Sequence, residues 1–179
     1  NKFWKGHQVE KYNNFINSSL NIQSSPGKLN VYSEGRLISK KNKLLGINPG
    51  ASYGSAKQWY PEKFAEVACK LSKEYDIIIF GGRDEEYIAS EIERYLVQYG
   101  IDNYNNLAGK TSINELCDQI KNLDLFITGD SGPMHLAAAY EIPTVSIFGP
   151  TNFKETSQWM NLKSKVVKKN LNCQPCMKR

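Results

Sequence analysis

The run Gly129-Asp130-Ser131-Gly132-Pro133-Met134-His135 sets a carboxylate, a hydroxyl and an imidazole between a short apolar segment and Ala137-Ala138-Ala139. It reads as a strand, a polar elbow and an Ala-rich helix. Such an elbow binds anions, because the first N–H groups of a helix have no partner within it and the positive end of the dipole lies there. Ser131 or Asp130 suits the cap of the first turn, Pro133 lacks only an N–H that has no use there, and the alanines propagate the helix. Taken alone, the elbow reads equally well as a capping Asp130 and a packed His135. The other loops decide between the two.

Pro49-Gly50-Ala51-Ser52-Tyr53-Gly54-Ser55-Ala56-Lys57-Gln58-Trp59 combines two glycines, which permit close backbone approach to a ligand, with the mobile positive charge of Lys57. It resembles a phosphate cradle, the alternative being a solvated Lys57 and a core Trp59. The Walker spacing fails here, and fails again at Gly109-Lys110-Thr111, where Tyr104 stands at the first glycine position. The G-x-G-x-x-G fingerprint of nicotinamide dehydrogenases is absent as well. In Gly81-Gly82-Arg83-Asp84-Glu85, the Glu85 carboxylate could accept from ribose hydroxyls or simply cap a helix. Ala108-Gly109-Lys110-Thr111-Ser112 brings Lys110 and Thr111 to the same edge, with Ser112 as the cap of the next helix. Phe148-Gly149-Pro150-Thr151 closes a last strand, and Thr151 there reads as a cap.

The elements that position these loops alternate. From Lys43 onward the sequence predicts strands at Leu44–Asn48, Asp76–Phe80, Tyr104–Leu107, Leu123–Thr128 and Thr144–Phe148. Between them come helices over Pro61–Lys73, Glu85–Val97 and Ile113–Lys121 and the Ala-rich helix. That order predicts an α/β fold, a Rossmann-like doubly wound parallel sheet whose ligands lie beyond the carboxyl ends of the strands. Val166-Val167 is a further short strand candidate, and Lys163, Lys165, Lys168 and Lys169 read as a solvated face. Upstream, Val9, Tyr12, Phe15, Ile16 and Leu20 are spaced as on a helix that Ser24-Ser25-Pro26-Gly27 ends. Residues 1–42 accordingly read as a helix and a linker, and residues 43–179 as one α/β domain.

With 179 residues, 40% of them hydrophobic, the chain can bury one good core. Its net charge of +5 is spread along the sequence and suits small anions or a membrane surface. No nucleic-acid motif is present. No stretch is long enough to span a bilayer and no signal-peptide layout opens the chain, so a cytoplasmic location is the expectation. Cys69 and Cys117 fall in helices and read as small buried hydrophobes. Cys173 and Cys176 form one C-x2-C without a second ligand pair, so neither a metal site nor a redox role is expected. Asn1 and Arg179 read as cut ends, which predicts a piece of a longer protein.

The motifs Pro49-Gly50-Ala51, Gly54-Ser55-Ala56-Lys57-Gln58-Trp59, Gly81-Gly82, Leu107-Ala108-Gly109-Lys110-Thr111-Ser112, Asp130-Ser131-Gly132-Pro133-Met134-His135 and Phe148-Gly149-Pro150-Thr151 resemble, in order and spacing, the bacterial lipopolysaccharide heptosyltransferases. The first two look most like the type II form. His7-Gln8-Val9-Glu10-Lys11-Tyr12 is similar to the segment that closes that family's amino-terminal domain. The resemblance implies a GT-B architecture in which residues 1–42 are the end of the amino-terminal domain and a linker, and residues 43–179 the nucleotide-sugar-binding domain, truncated at its carboxyl end, that takes ADP-L-glycero-D-manno-heptose, the donor for transfer to the lipopolysaccharide inner core. It implies that Ser52 and Lys57 meet the diphosphate, Glu85 the ribose and Thr111 the adenine region. Asp130 would hold heptose hydroxyls, with Ser131, Gly132 and His135 on the phosphate side. No metal and no cofactor are implied. The general base is an Asp of the amino-terminal domain, so this chain by itself is expected to bind donor and transfer nothing. The acceptor would be met through that other domain, at the inner face of the inner membrane. The rival expectation is a nucleotide-binding module with no transferase activity.

Overall fold

The computed structural model describes residues 5–35, 39–51 and 54–177. Six strands, β1 (Lys43–Asn48), β2 (Tyr75–Ile79), β3 (Tyr104–Asn106), β4 (Leu125–Gly129), β5 (Thr144–Phe148) and β6 (Ser164–Lys168), form one sheet in the order β3-β2-β1-β4-β5-β6. Every pairing is parallel. The helices are α1 (Gln8–Leu20), α2 (Pro61–Leu71), α3 (Glu86–Gln98), α4 (Ile113–Lys121), α5 (Gly132–Ala139) and the short α6 (Phe153–Thr156). Two single turns of 3-10 helix, Ser55–Lys57 and Arg83–Glu85, stand in the loops after β1 and β2. The expected doubly wound Rossmann-like sheet is therefore the observed one.

The two faces of the sheet are built by alternation along buried strands. On β2, Ile77 and Ile79 pack with Leu45 and Ile47 of β1 against Phe64, Ala65 and Ala68 of α2 and Ile92 and Leu96 of α3. Ile78 and the adjacent Phe80 point the other way and join Phe126, Ile120 of α4 and Ala137 of α5. Apolar residues on both faces are what an all-parallel sheet covered by helices requires. Gly46 of β1 lies beneath the second layer, where Phe80 and Phe126 meet edge to face at 6.0 Å.

Several boundaries differ from the periodicity-based reading. The fourth strand begins at Leu125 because Leu123 drops into the core. Asp124 meanwhile accepts from the β1 amide of Leu44 at 2.7 Å and from Lys40 at 2.5 Å. The Val166-Val167 pair belongs to a full edge strand, with Lys165 and Lys168 exposed along it, as the solvated-face reading has it. Lysines on an edge strand discourage pairing with another sheet. Helix α1 is capped by His7, whose Nδ1 accepts from the Val9 amide while Glu10 accepts from the His7 amide. No described helix is long and apolar enough to cross a membrane. Cys117 is buried, whereas Cys69 is only partly so and Cys173 is exposed, because Cys69 lies at the edge of the buried stripe of α2.

A Cβ at Gly46 would stand 2.4 Å from Leu123 Cδ1 and 2.7 Å from Phe126 Cδ2. Gly46→Ala is therefore expected to destabilise the chain by about 1–3 kcal/mol in urea denaturation, the usual cost of overpacking. Gly27, with nothing within 4 Å of a built Cβ, serves as the control. Gly27→Ala should stay within about 0.5 kcal/mol of the parent.

Candidate functional site

Strand order reverses between β1 and β4, whose neighbours continue in opposite directions across the sheet. The loops leaving their carboxyl ends must diverge, and a crevice opens between them. Here it is a cleft of about 560 Å³, within the range of small-molecule sites. Lys57, Glu85, Thr111, Asp130, Ser131, Gly132 and His135 all line it. Ser52 lies outside the described residues. Lys110 is not among the lining residues, because its ammonium turns back to the Asn106 carbonyl at 2.8 Å.

Asp130 is the centre of this arrangement. Its residue is 6% exposed, and its Oδ2 accepts from Lys57 Nζ at 2.7 Å and from Thr151 Oγ1 at 2.7 Å. Lys57 also donates to the Asp130 carbonyl at 3.2 Å. The alternative of a solvated Lys57 is thereby excluded: burial of Asp130 demands a counter-charge, and the ammonium supplies it. The other half of that alternative holds, since Trp59 packs on the core and meets Phe64 at 5.1 Å.

Three backbones converge to make this possible. A Cβ on Gly149 would stand 2.9 Å from the Ala56 carbonyl, and one on Gly129 would stand 3.5 Å from the Lys57 carbonyl. The loop after β5 thus presses on the turn that carries Lys57, and the end of β4 lies in ordinary contact with it. On the far side, a Cβ on Gly50 would fall 2.0 Å from the Glu85 carboxyl carbon. Glu85 lies over the β1 loop there, with Oε2 accepting from the Gly82 amide at 2.8 Å. Its capping contact and its place in the cleft coexist.

Two expectations are corrected here. Ser131 occupies the N-cap position of α5 but neither it nor Asp130 caps the helix. The Ser131 hydroxyl is taken by Thr128 Oγ1 at 3.1 Å and Asn48 Nδ2 at 3.2 Å, which leaves the helix start without a side-chain cap. Thr151 is no cap either. Asn152 caps α6 by accepting from the Lys154 amide at 3.2 Å, and Thr151 is free to serve Asp130. Ser112, in contrast, caps α4 as expected, in a reciprocal box with Glu115.

Asn48, Thr128 and Thr151 were not singled out as site residues by the motifs. The first two carried a signal, a polar side chain ending an otherwise apolar strand. Thr151 carried one too, as the hydroxyl closing the Phe148-Gly149-Pro150-Thr151 turn, but its partner Asp130 stands 21 residues away. Among the described residues no three His, Cys, Asp or Glu side chains stand close enough to hold a metal ion.

His135, on the first turn of α5, is held below its ordinary pKa chiefly by burial. The Asp130 charge opposes this, and His7 and Lys57 add to it. Such a group takes up its proton more readily in the unfolded chain, so its contribution to stability is lost as pH falls below the ordinary value of 6.5. An NMR titration should place the His135 midpoint below that value, and Asp130→Asn should lower it further.

Comparison with known proteins bears on the family and the fold. The pattern of glycosyltransferase family 9 (heptosyltransferase) matches residues 2–179. Lipooligosaccharide heptosyltransferase 2 of Campylobacter jejuni (strain NCTC 11168) is 46% identical over 186 aligned positions, covering 100% of this chain and 58% of that protein. The chain thus spans just over half the length of that relative. The solved Escherichia coli ADP-heptose lps heptosyltransferase II superposes with a TM-score of 0.66 at 27% identity, over 92% of this chain and 45% of that one. A glycosyl transferase family 9 protein of Veillonella parvula, at 22% identity, shares the fold with a TM-score of 0.79 over 93% of this chain and 50% of its own. On sequence, fold and cleft together, this chain belongs to the family 9 heptosyltransferases.

Proposed function

We propose that the cleft binds ADP-L-glycero-D-manno-heptose and that this chain is the donor-binding half, residues 43–179, of an enzyme that adds heptose to the lipopolysaccharide inner core. The observation that carries this reading is the pairing of an uncapped α5 amino terminus with the Lys57–Asp130 ion pair at the sheet's switch point. The Gly132 amide and the dipole of α5 face the negative charge of a diphosphate, Lys57 reaches it from the other side, and the resemblance gives Ser52 the same ligand. Glu85 accepts from the ribose and Thr111 lies toward the adenine. Ser131, Gly132 and His135 flank the phosphates, and Asp130 accepts from heptose hydroxyls.

Transfer breaks the bond between the heptose anomeric carbon and the diphosphate oxygen, so negative charge builds on the leaving ADP. Lys57 and the α5 terminus are placed to stabilise that charge. A base must take the acceptor proton. Asp130 does not fit that task, since its Oδ2 is held by two donors and this reading gives its other oxygen to the hydroxyls of the donor sugar. The base and the acceptor site belong to a preceding domain, which residues 1–42 close and link. The enzyme so assembled works in the cytoplasm, at the inner face of the inner membrane where the lipid-linked acceptor is exposed.

Calorimetric titration of the chain with ADP-heptose, ADP, UDP and NAD at one fixed salt concentration tests the reading. The expected result is tighter binding of ADP-heptose than of ADP, with UDP and NAD silent. Equal affinity for ADP and ADP-heptose would instead describe a nucleotide-binding module. Lys57→Ala should weaken ADP by about 1.5–3 kcal/mol, the range for hydrogen bonds to charged groups. The chain alone should transfer no heptose from labelled donor, and measurable transfer would place the base within it.

A further inference from the structure

The contacts of Asp130 assign a role to Thr151 that the donor-binding reading leaves open. Lys57 and Thr151 both donate to the same oxygen, Oδ2, each at 2.7 Å. Among the described residues none donates to Oδ1 at hydrogen-bond distance. Anchoring one carboxylate oxygen with two donors fixes the plane of the group and commits the other oxygen to whatever enters the cleft.

The two donors are not equivalent once a ligand arrives. A diphosphate competes for the Lys57 ammonium, whereas a neutral hydroxyl has little to offer it and remains with the carboxylate. The Thr151 loop is also fastened from outside the site. Gln174 Nε2 donates to the Phe148 carbonyl at 3.3 Å and the Gly149 carbonyl at 2.5 Å, and the Met177 amide donates to the Pro150 carbonyl at 2.9 Å. Thr151 itself is 6% exposed and takes no part in capping α6.

We propose that Thr151 is a positioning residue for the donor sugar: its hydroxyl holds Asp130 in place when the diphosphate draws Lys57 away, and so presents Oδ1 to the hydroxyls of the heptose. This rests on the donor-binding reading above. It makes Thr151 a determinant of the preference for nucleotide sugar over nucleotide, although it touches neither.

Thr151→Val removes the hydroxyl and keeps the shape, while Thr151→Ser keeps the hydroxyl. Calorimetry of the parent and both variants with ADP and with ADP-heptose reads the difference, and a thermal melt confirms that each is folded. The expected result is a loss of about tenfold in ADP-heptose affinity for Thr151→Val, the scale of one hydrogen bond to a charged group. ADP affinity should stay within about twofold, and Thr151→Ser should restore most of the loss. Equal losses for both ligands would reduce Thr151 to a structural residue and overturn the proposal, as would unchanged affinities. If Thr151→Val does not fold, Thr151→Ser matching the parent in its preference supports the proposal and a collapse of preference in it overturns the proposal. A parent that binds ADP and ADP-heptose equally would sink the donor-binding reading itself, an outcome distinct from a preference that survives in Thr151→Val.

Discussion

A carboxylate buried at the end of β4 constrains everything around it. Removing Asp130 from water is costly unless an opposite charge and further donors accompany it. The nearest backbone offers neither, since the helix start that follows is turned to the cleft. The charge comes from Lys57 on the loop after β1 and the second donor from Thr151 on the loop after β5. Loops from three strands must therefore meet above the sheet. Gly149 sits where its backbone crowds the Lys57 turn, with no room for an ordinary side chain, and Gly129 lies in contact with the same turn. The cleft is the space left beside that junction.

The sheet makes the meeting possible and limits where it happens. Alternating apolar residues on β1 and β2 bury both faces, so the only part of the sheet left for polar work is its carboxyl edge. On that edge, the reversal between β1 and β4 is the one place where neighbouring loops part. Asn48, the last residue of β1, and Thr128, next to last in β4, turn their polar atoms to Ser131. They use its hydroxyl to hold the elbow in shape, and the Gly132 amide keeps no side-chain cap as a consequence.

Most of the fold was legible because the information is local. Alternation of apolar strands with helices of ten or so residues gives the parallel sheet, and Gly, Pro and Ser punctuate it. The helix Ile113–Lys121 even has both halves of its capping box, Ser112 and Glu115, within four residues of sequence. The positions of Lys57, Glu85, Thr111 and His135 in one cleft followed from the same periodicity, since strand ends share an edge. The partners did not follow. Ser131 has every local attribute of an N-cap, yet it fails to cap because Asn48, 83 residues earlier, takes its oxygen. Thr151 looks like a cap for the same local reasons, and Asn152 does that work. A short polar side chain at a helix start has several possible partners, and which one it finds is set by elements that sequence distance hides.

The fastening of the β5 loop extends this dependence beyond the sheet. Residues 171–177 form no strand or helix, yet Gln174 and Met177 bond to three successive carbonyls, those of Phe148, Gly149 and Pro150. These are the carbonyls that lead into Thr151. A loop leaving an edge-proximal strand has few neighbours to hold it, and its hydrogen-bonding groups would otherwise be left to water. The C-x2-C segment brackets Gln174, so its value to the fold lies in backbone and amide contacts more than in its thiols, which stand exposed or half-buried and unlinked. Asp130 is thus held by a chain of contacts that begins at the last described residues, passes through Pro150 and Thr151, and ends on a single oxygen.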